Sequence, residues 1–443
     1  MKAKQNRLSR WQVIIVLAMF LGYSGYYLCR SNFSVALPLI AGDLVAAGLS
    51  PETTRIRLGA IASLGVAAYA IGKFPAGAIS DYLGGRRNFL AGMIGSVLFT
   101  VLFALAGGLP WLTLTWIGNR LVQSLGWAGM VKVSSRWFSY HTYGTVMGII
   151  SLSFLFGDAA SRTFLAWLIA RGFSWRGLFV VAGGTLLLLL LISVAVLKET
   201  PLEIGEPEPP ANPLAIVIAQ DKPSSGKDLW RTLCPLFSNP GFWMVCGLSF
   251  TFTLVRETFN LWSPTYFIQV LGLGPAEAAR ESALFPLFGG FSVLLAGFLS
   301  DRVKQAGRAT IISCGLLAAG VVLFLLGFGS FGTSRTVSIV FVTLVGFLMI
   351  GPYSYLAGAV ALDLGGKLGC GTTSGIIDGV GYVGGIFAGD SIARVSIAYG
   401  WRGTFMILAA VVWLSSGVAF FYRRYSLTRV VVSPRLTHMG DSG

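Results

Sequence analysis

Two arginines stand in stretches of the sequence where a positive charge is costly. Arg30 lies within the apolar run 22–38, GYSGYYLCRSNFSVALP, and Arg256 lies within the apolar run 250–267, FTFTLVRETFNLWSPTYF. An arginine at the centre of a membrane helix costs from about 3 to about 10 kcal/mol or more, so each side chain is expected to face a polar cavity and bind a ligand. A guanidinium has planar donors for two-point binding, which match a phosphoryl dianion better than a carbohydrate or a cation.

The two arginines belong to an internal repeat. Arg256 follows Arg30 by 226 positions, and Trp401-Arg402-Gly403 follows Trp175-Arg176-Gly177 by the same 226. A shared offset indicates two related halves. In transporters built from such repeats the ligand lies near the membrane midplane where the repeats meet, so we expect Arg30 and Arg256 to serve one site.

The composition is that of a membrane protein. Hydrophobic residues make up 54% of the chain, charged residues make up 12%, and the mean hydropathy is +0.73, whereas soluble domains contain about 25% charged residues. Glycine accounts for 57 of 443 residues, which suits close packing of helices in lipid. The five cysteines are scattered and form no CxxC, so neither a disulfide framework nor a zinc site is expected.

The apolar stretches predict an all-α integral membrane protein with twelve transmembrane helices. Each stretch has about the 20 residues that a bilayer core of about 30 Å requires, and the long continuous runs exclude a barrel of short alternating strands. We expect a six-helix half at 1–198, a linker at 199–240, a second half at 241–422 and a tail at 423–443. The predicted spans are 11–40, 58–80, 88–108, 111–136, 144–170, 176–198, 241–271, 277–300, 309–329, 337–362, 371–397 and 403–422.

Positive charges in the short loops predict the orientation. Four segments that fall on one side of a twelve-helix chain carry most of the Lys and Arg: Lys2, Lys4, Arg7, Arg10; Arg86, Arg87; Arg302, Lys304, Arg308; and Arg423, Arg424, Arg429, Arg435. Both termini and the linker are therefore expected to be cytoplasmic, in a multi-pass protein of a bacterial inner membrane. This bias largely explains the net charge of +15, so no basic domain is left for binding nucleic acid. The first apolar run is also too long for a signal peptide.

The loop after the second span resembles a family signature. Residues 77–87, GAISDYLGGRR, resemble the G-xxx-D-xx-G-x-R-R motif of the major facilitator superfamily, and residues 297–302, GFLSDR, are a reduced echo in the second half. The resemblance implies the major facilitator fold. It also implies a cytoplasmic gating loop in which an Asp/Arg pair breaks when the halves tilt, with the candidate residues Asp81, Arg86, Arg87 and Asp301.

A finer resemblance is to the organophosphate:phosphate antiporter family. Residues 26–33, YYLCRSNF, resemble that family's first-helix motif, and residues 118–132, GNRLVQSLGWAGMVK, are similar to its fourth-helix motif. Arg256 followed by 262–266, WSPTY, matches its seventh-helix motif, and 375–379, GIIDG, falls in the eleventh. The resemblance implies that Arg30 and Arg256 bind phosphate. The remaining substrate-site candidates are Tyr27, Asn32, Trp127, Lys132, Asn260 and Asp378.

Other interpretations compete for several of these residues. Aromatic residues more often pack or anchor helices than contact a ligand, and Glu257 beside Arg256 suggests an ion-pair network. Lys132 is suited either to steering anions inward or to extending its amine towards the membrane surface. The acid–base pairs Asp158/Arg162 and Asp390/Arg394 have i,i+4 spacing, which favours a structural role.

The function favoured by these observations is exchange of inorganic phosphate for a phosphorylated metabolite, a small anion, by a monomer in the bilayer. Two alternatives on the same fold are a transporter of another organic anion, such as a carboxylate or sugar acid, and a sugar-phosphate receptor that does not transport. An enzyme is disfavoured because the sequence contains neither GxxxxGK[ST] nor HExxH. No cofactor and no metal site are expected.

Overall fold

The computed structural model describes residues 2–209, 236–300, 305–329 and 331–432. The first part of the chain contains six α-helices: α1 Lys2–Ala46, α2 Pro51–Leu83, α3 Gly85–Ala104, α4 Leu109–Trp137, α5 Tyr140–Ala170 and α6 Trp175–Val196. The later part contains eight: α7 Pro240–Leu271, α8 Pro275–Ser282, α9 Leu284–Ser300, α10 Gln305–Gly327, α11 Arg335–Ser354, α12 Ala361–Phe387, α13 Asp390–Ala398 and α14 Gly400–Val432. Within these residues the regular elements are all helical, as predicted.

The helices are long enough to cross a bilayer repeatedly. Ten stretches of the described residues are both long and apolar enough to span a membrane, judged by length and composition. The helices α4 and α7, of 29 and 32 residues, coincide with the predicted spans 111–136 and 241–271 and carry polar side chains of the candidate site. The chain is therefore a multi-pass membrane protein.

One predicted helix, 371–397, is interrupted where two backbones touch. Between α12 and α13, a Cβ on Gly389 would collide with the carbonyl oxygen of Gly59 in α2. The break also frees the N–H of Asp390, which donates to Ser63 Oγ at 2.9 Å. An unbroken helix would have used that N–H internally, so the interruption exchanges a helical bond for an anchor to α2.

The Trp-Arg-Gly repeat has the same structural task in both parts of the chain. Arg176, in the first turn of α6, donates from Nη1 to the carbonyl oxygens of Ala104 and Ala106 at 2.8 and 3.0 Å, where α3 ends. Arg402, in the first turn of α14, donates from Nη2 to the carbonyl oxygen of Gly329, just after α10. Carbonyls at a helix end lack helical donors, so each arginine caps the neighbouring helix.

The chain divides into two compact units. Among the described residues, the first unit comprises those up to 209 together with Asn260–Leu287 and Ala388–Arg394, and the second unit comprises the remainder. The helix α7 therefore contributes its first part to the second unit and its part from Asn260 onward to the first. The predicted boundaries at 198 and 241 stay a prediction, and most of the predicted linker lies outside the described residues.

Candidate anion-binding site

Arg30 lies among tyrosine rings in the first unit. Its Cζ is 4.9 Å from the centre of the Tyr69 ring on α2 and 5.1 Å from that of Tyr27, one turn earlier on α1. Nη1 of Arg30 also donates to the Tyr27 hydroxyl at 3.3 Å. The negative face of an aromatic ring attracts a guanidinium without cancelling its formal charge. The rings therefore orient the guanidinium of Arg30.

Two further cations share the Tyr69 ring. Cζ of Arg120 on α4 is 4.9 Å from the ring centre, and Nζ of Lys73 on α2 is 5.5 Å from it. Because each charge lies about 5 Å from the same ring centre, no two are more than about 10 Å apart, and at that separation they repel each other by about 2 kcal/mol at an effective dielectric constant of about 20. We term Arg30, Tyr69, Lys73 and Arg120 the cation cluster. An anion beside it would relieve this repulsion, so the cluster is suited to anion binding.

Sequence reasoning singled out Arg30 but missed the other members of the cation cluster. Arg120 lies in the quoted motif 118–132 and Lys73 in the predicted span 58–80, so the desolvation cost that identified Arg30 applied to both. Tyr69 gave no comparable signal, because a tyrosine in a membrane helix is most often a packing residue. Its importance follows only from the three cations that surround it.

The rotation of α1 that presents Arg30 is fixed by two polar side chains. Tyr26 donates from its hydroxyl to the carbonyl oxygen of Phe89 on α3 at 2.5 Å. Gln123 on α4 donates to the carbonyl oxygens of Tyr26 and Cys29, each at 3.4 Å. Both contacts lie within about one turn of Arg30. They therefore hold α1 in the rotation that places the Arg30 guanidinium over the Tyr69 ring.

The neutral candidates of the first unit fall into two groups. Trp127 and Tyr27 are half-buried, and Tyr23 lies between them with ring centres 5.9 Å and 5.6 Å away, respectively. These three rings form a continuous aromatic wall that leads to Arg30. Asn32 is fully buried, and its amide atoms make no hydrogen bond with any described residue. A role of Asn32 in ligand binding stays a prediction.

Arg256 is held in a similar way in the second unit. Its Cζ is 4.9 Å from the centre of the Tyr353 ring, at the end of α11. The Tyr353 hydroxyl donates to Asp378 Oδ1 on α12 at 3.3 Å. Each repeated arginine thus lies over a tyrosine face of its own unit. The structure brings Asp378 to the same ring as Arg256, which the sequence motif did not specify.

Glu257 pairs with Arg256 in the structure. Nη2 of Arg256 lies 3.0 Å from Oε1 of Glu257, and both side chains are about nine-tenths buried, with 14% and 13% exposure. The ion-pair interpretation of this sequence neighbour is therefore correct for the described structure. An anionic ligand at Arg256 would have to compete with the Glu257 carboxylate or share the guanidinium with it.

Lys132 lies with the predicted gating loop. A cavity of about 410 Å³ is lined by Lys132, Arg86 and Arg87 together with Arg136 and Glu199. Glu199 accepts from the backbone N–H groups of Gly85 and Arg86 at 2.8 and 2.6 Å and so caps α3. Nη2 of Arg86 donates to the carbonyl oxygen of Val194 in α6 at 2.8 Å. The basic cavity joins the ends of α3, α4 and α6.

Three predicted residues give less information about ligand binding. The side chain of Asp81 and the whole of Asp301 lie outside what the structure describes. Asn260 belongs to the first unit, whereas Arg256, one turn earlier on the same helix, belongs to the second. The backbone carbonyl of Asn260 accepts hydrogen bonds from α1 and α5, and its side-chain oxygen makes no hydrogen bond with the described residues.

The Tyr69 ring supplies a testable feature of the cation cluster. We expect Tyr69→Leu to weaken phosphate binding by about tenfold, because leucine offers no π face to hold the guanidiniums of Arg30 and Arg120 in a binding orientation, and each such contact contributes about 0.5–2 kcal/mol. Tyr69→Phe keeps the face and should bind phosphate nearly as the wild type does. Titration calorimetry of detergent-solubilised protein measures both constants. Equal weakening by leucine and phenylalanine would show that the hydroxyl, and not the face, matters.

Comparisons with known proteins agree with this architecture. The family model described as Major Facilitator Superfamily matches residues 19–389. The crystal structure of a D-xylose-proton symporter superposes with a TM-score of 0.72 and 16% identity, covering 93% of this chain and 97% of that chain. This likeness concerns the fold alone, and with the family match it confirms the predicted major facilitator fold.

Relatives at higher identity have more specific names. A "Probable hexose phosphate transport protein" of Chlamydia trachomatis is 29% identical over 420 residues, which cover 90% of this chain and 88% of the relative. The "Glucose-6-phosphate exchanger SLC37A2" of Bos taurus is 30% identical and covers 90% and 91%. The "Membrane sensor protein UhpC" of Escherichia coli is 26% identical and covers 92% and 91%. The chain therefore belongs to the Major Facilitator Superfamily, and these relatives confirm its resemblance to the organophosphate:phosphate antiporter family.

Proposed function

We propose that the protein is a secondary transporter that exchanges inorganic phosphate for a phosphorylated metabolite by alternating access. The observation that carries the proposal is the matched pair of arginines. At positions related by the 226-residue repeat, Arg30 and Arg256 each lie 4.9 Å from a tyrosine ring centre in their own unit. The names of the relatives, which include a hexose phosphate transport protein and a glucose-6-phosphate exchanger, favour the same substrate class.

Different residues would bind different parts of the substrate. Arg30 and Arg256 would take the phosphoryl group, since only a planar guanidinium offers two parallel donors to two phosphoryl oxygens. Lys73 and Arg120 would add long-range attraction for the dianion, and the aromatic wall of Tyr23, Tyr27 and Trp127 would face the organic part. Asp378 would orient Tyr353 beneath Arg256.

The gating loop would act on conformational exchange and not on affinity. Arg86 holds the end of α6 through Val194, and the basic cavity around Lys132 lies at the helix ends, so neither group belongs to the cation cluster. In this proposal Asp81, Arg86, Arg87 and Asp301 control the cytoplasmic side. The protein would work as a monomer in a bacterial inner membrane with both termini in the cytoplasm.

Counterflow tests the proposal directly. Purified protein in phosphate-loaded liposomes should take up labelled phosphate, and external sugar phosphates should compete with it. Glycerol 3-phosphate, hexose 6-phosphates and phosphoglycerates form the test panel, and the unphosphorylated sugars and the carboxylate analogues are its matched controls. Because the arginine fork recognises the phosphoryl group, we expect competition only from phosphorylated compounds. Competition by carboxylates of equal strength would instead indicate a general organic-anion carrier.

A receptor is the second candidate, and it is favoured by the similarity to a membrane sensor protein. A receptor would use the same arginines to bind a sugar phosphate. Addition of the sugar phosphate would raise the melting temperature of a receptor, but the receptor would show no counterflow. The two functions are separated by measuring binding and counterflow on the same preparation.

A further inference from the structure

A proline in α7 leaves one backbone carbonyl without its helical partner. In an α-helix the N–H of residue 264 would bond to the carbonyl of residue 260, but Pro264 has no N–H. The carbonyl oxygen of Asn260 instead accepts from two side chains of other helices. Ser34 Oγ of α1 lies 2.7 Å away, and Arg162 Nη2 of α5 lies 2.8 Å away. The helix is thus bonded to α1 and α5 at the carbonyl that has lost its helical donor.

Arg162 is the centre of this fastening. The whole residue is 2% exposed, and its guanidinium makes three separate contacts. Nε donates to Asp158 Oδ1 at 2.9 Å, Nη1 donates to Ser282 Oγ at 3.1 Å, and Nη2 donates to the Asn260 carbonyl. Ser282 is the last residue of α8, so one side chain ties both α7 and α8 to α5.

Asp158 extends the same network to the residue beside Arg30. Its Oδ1 accepts a short hydrogen bond from Ser31 Oγ, and Ser31 directly follows Arg30 on α1. A movement of α1 at Arg30 must therefore disturb the Ser31–Asp158 bond or carry Asp158 with it. One chain of hydrogen bonds through Ser31, Asp158 and Arg162 therefore runs from the residue beside Arg30 to the contacts that hold α7 and α8.

A permanent anchor would not need buried charges. Replacement of a buried ion pair by well-packed apolar residues is often neutral or stabilising, so charge by itself is poor evidence for an anchoring role. Hydrogen-bonded ion pairs do have two discrete states, made and broken, which suits an element that changes partners during a conformational cycle.

We propose that Ser31, Asp158, Arg162, Ser282 and the Asn260 carbonyl form a releasable latch, which holds α7 and α8 against α1 and α5 until an anion binds at Arg30. Asp158 and Arg162 are then positioning residues for the transport step and do not contact the substrate. The proposal rests on the proposed transport function for its purpose. The claim that these bonds hold α8 against α5 can be tested without a transport assay.

The test uses a cysteine at a buried position of α8. Ala279 is completely buried, so Ala279→Cys, in a background without the five native cysteines, should react slowly with a water-soluble maleimide in detergent. The double change Asp158→Asn with Arg162→Gln removes both charges together and leaves no lone buried ion. We expect it to speed labelling by about tenfold, the effect of losing about one charge-assisted hydrogen bond, and to slow phosphate exchange by a similar factor.

The chain supplies a matched control. Asp390 and Arg394 form an i,i+4 pair of the same type at 2.8 Å in the same unit, but the Arg394 side chain is 61% exposed. Asp390→Asn with Arg394→Gln should leave both labelling and exchange at the wild-type level. If the buried double variant remains folded and labels at the wild-type rate, or if the exposed double variant behaves like the buried one, the latch is wrong.

Three single substitutions, used in two tests, keep the proposal testable if the double variant does not fold. Pro264→Ala restores an N–H that can bond to the Asn260 carbonyl in place of Arg162. Ser282→Ala should therefore speed labelling of position 279 less in the Pro264→Ala background than in the wild-type background. Because the latch opens when an anion binds at Arg30, phosphate should speed labelling of position 279 when the rest of the chain is wild type. Ser31→Ala should abolish this effect of phosphate. Additive effects of the first pair, or an unchanged phosphate response in Ser31→Ala, would overturn the latch.

The outcomes separate the latch from the proposed function. If the wild type shows no phosphate counterflow while the buried double variant still exposes position 279, the transport proposal fails and the α8 contact stands. If the wild type exchanges phosphate and the variants label as it does, the transport proposal stands and the latch fails.

Discussion

Replacement of Arg30 by lysine is expected to reduce phosphate exchange by about 100-fold. Lysine keeps the positive charge but has no planar fork, so it cannot donate two parallel hydrogen bonds to phosphoryl oxygens while resting on the Tyr27 and Tyr69 rings. The loss of one to two charge-assisted hydrogen bonds, at about 1.5–3 kcal/mol each, accounts for a factor of this size. Arg256→Lys should have the same effect for the same reason, with Tyr353 as the supporting ring.

The measurement is the initial rate of labelled phosphate uptake into phosphate-loaded proteoliposomes at equal protein content. Arg176→Lys is the matched control, because Arg176 caps α3 through the carbonyls of Ala104 and Ala106 and belongs to no part of the proposed site. It should retain near wild-type exchange if the protein folds. Near wild-type exchange by Arg30→Lys or Arg256→Lys would rule out the two-arginine mechanism.

Net loss of phosphate from loaded vesicles into phosphate-free medium should be about 100-fold slower than exchange. Without a ligand, Arg30, Lys73 and Arg120 crowd the Tyr69 ring, and enclosing these charges in a low-dielectric state is unfavourable. A phosphate dianion offsets much of this charge, so the loaded carrier changes its facing side more readily than the empty one. A hundredfold preference corresponds to about 2.7 kcal/mol of differential stabilisation.

Paired efflux assays with and without external phosphate measure this ratio. Lys73→Met removes one charge of the cation cluster. It should therefore lower the ratio of the exchange rate to the net efflux rate by about tenfold, which corresponds to the loss of about 1.4 kcal/mol of the charge penalty. Lys198→Met removes a charge at the end of α6, and Lys198 is not a member of the cation cluster, so this change should leave the ratio unaltered. Net efflux as fast as exchange in the wild type would contradict obligatory coupling.

The sequence by itself determined the class of the protein and its repeat, and it singled out Arg30 and Arg256 as candidate ligand-binding residues. Spanning length and hydropathy are local properties that survive whatever the helices pack against, so ten of the membrane-crossing stretches follow directly from composition. The 226-residue offset paired Arg30 with Arg256, and the structure gives the two Trp-Arg-Gly segments the same capping task. The prohibitive cost of a charge in lipid needs no tertiary information either.

Only the tertiary structure decided which side chains share a space. Lys73, Arg120 and Tyr69 come together because of the rotation of α1, α2 and α4, and the α1 contacts of Tyr26 and Gln123 that fix part of it connect residues far apart in sequence. Lipid-facing and buried sides of these helices are both apolar, so periodicity reveals little of that rotation. For the same reason the sequence could name Asn260 but could not show that its backbone carbonyl, released by Pro264, is the group that Arg162 binds.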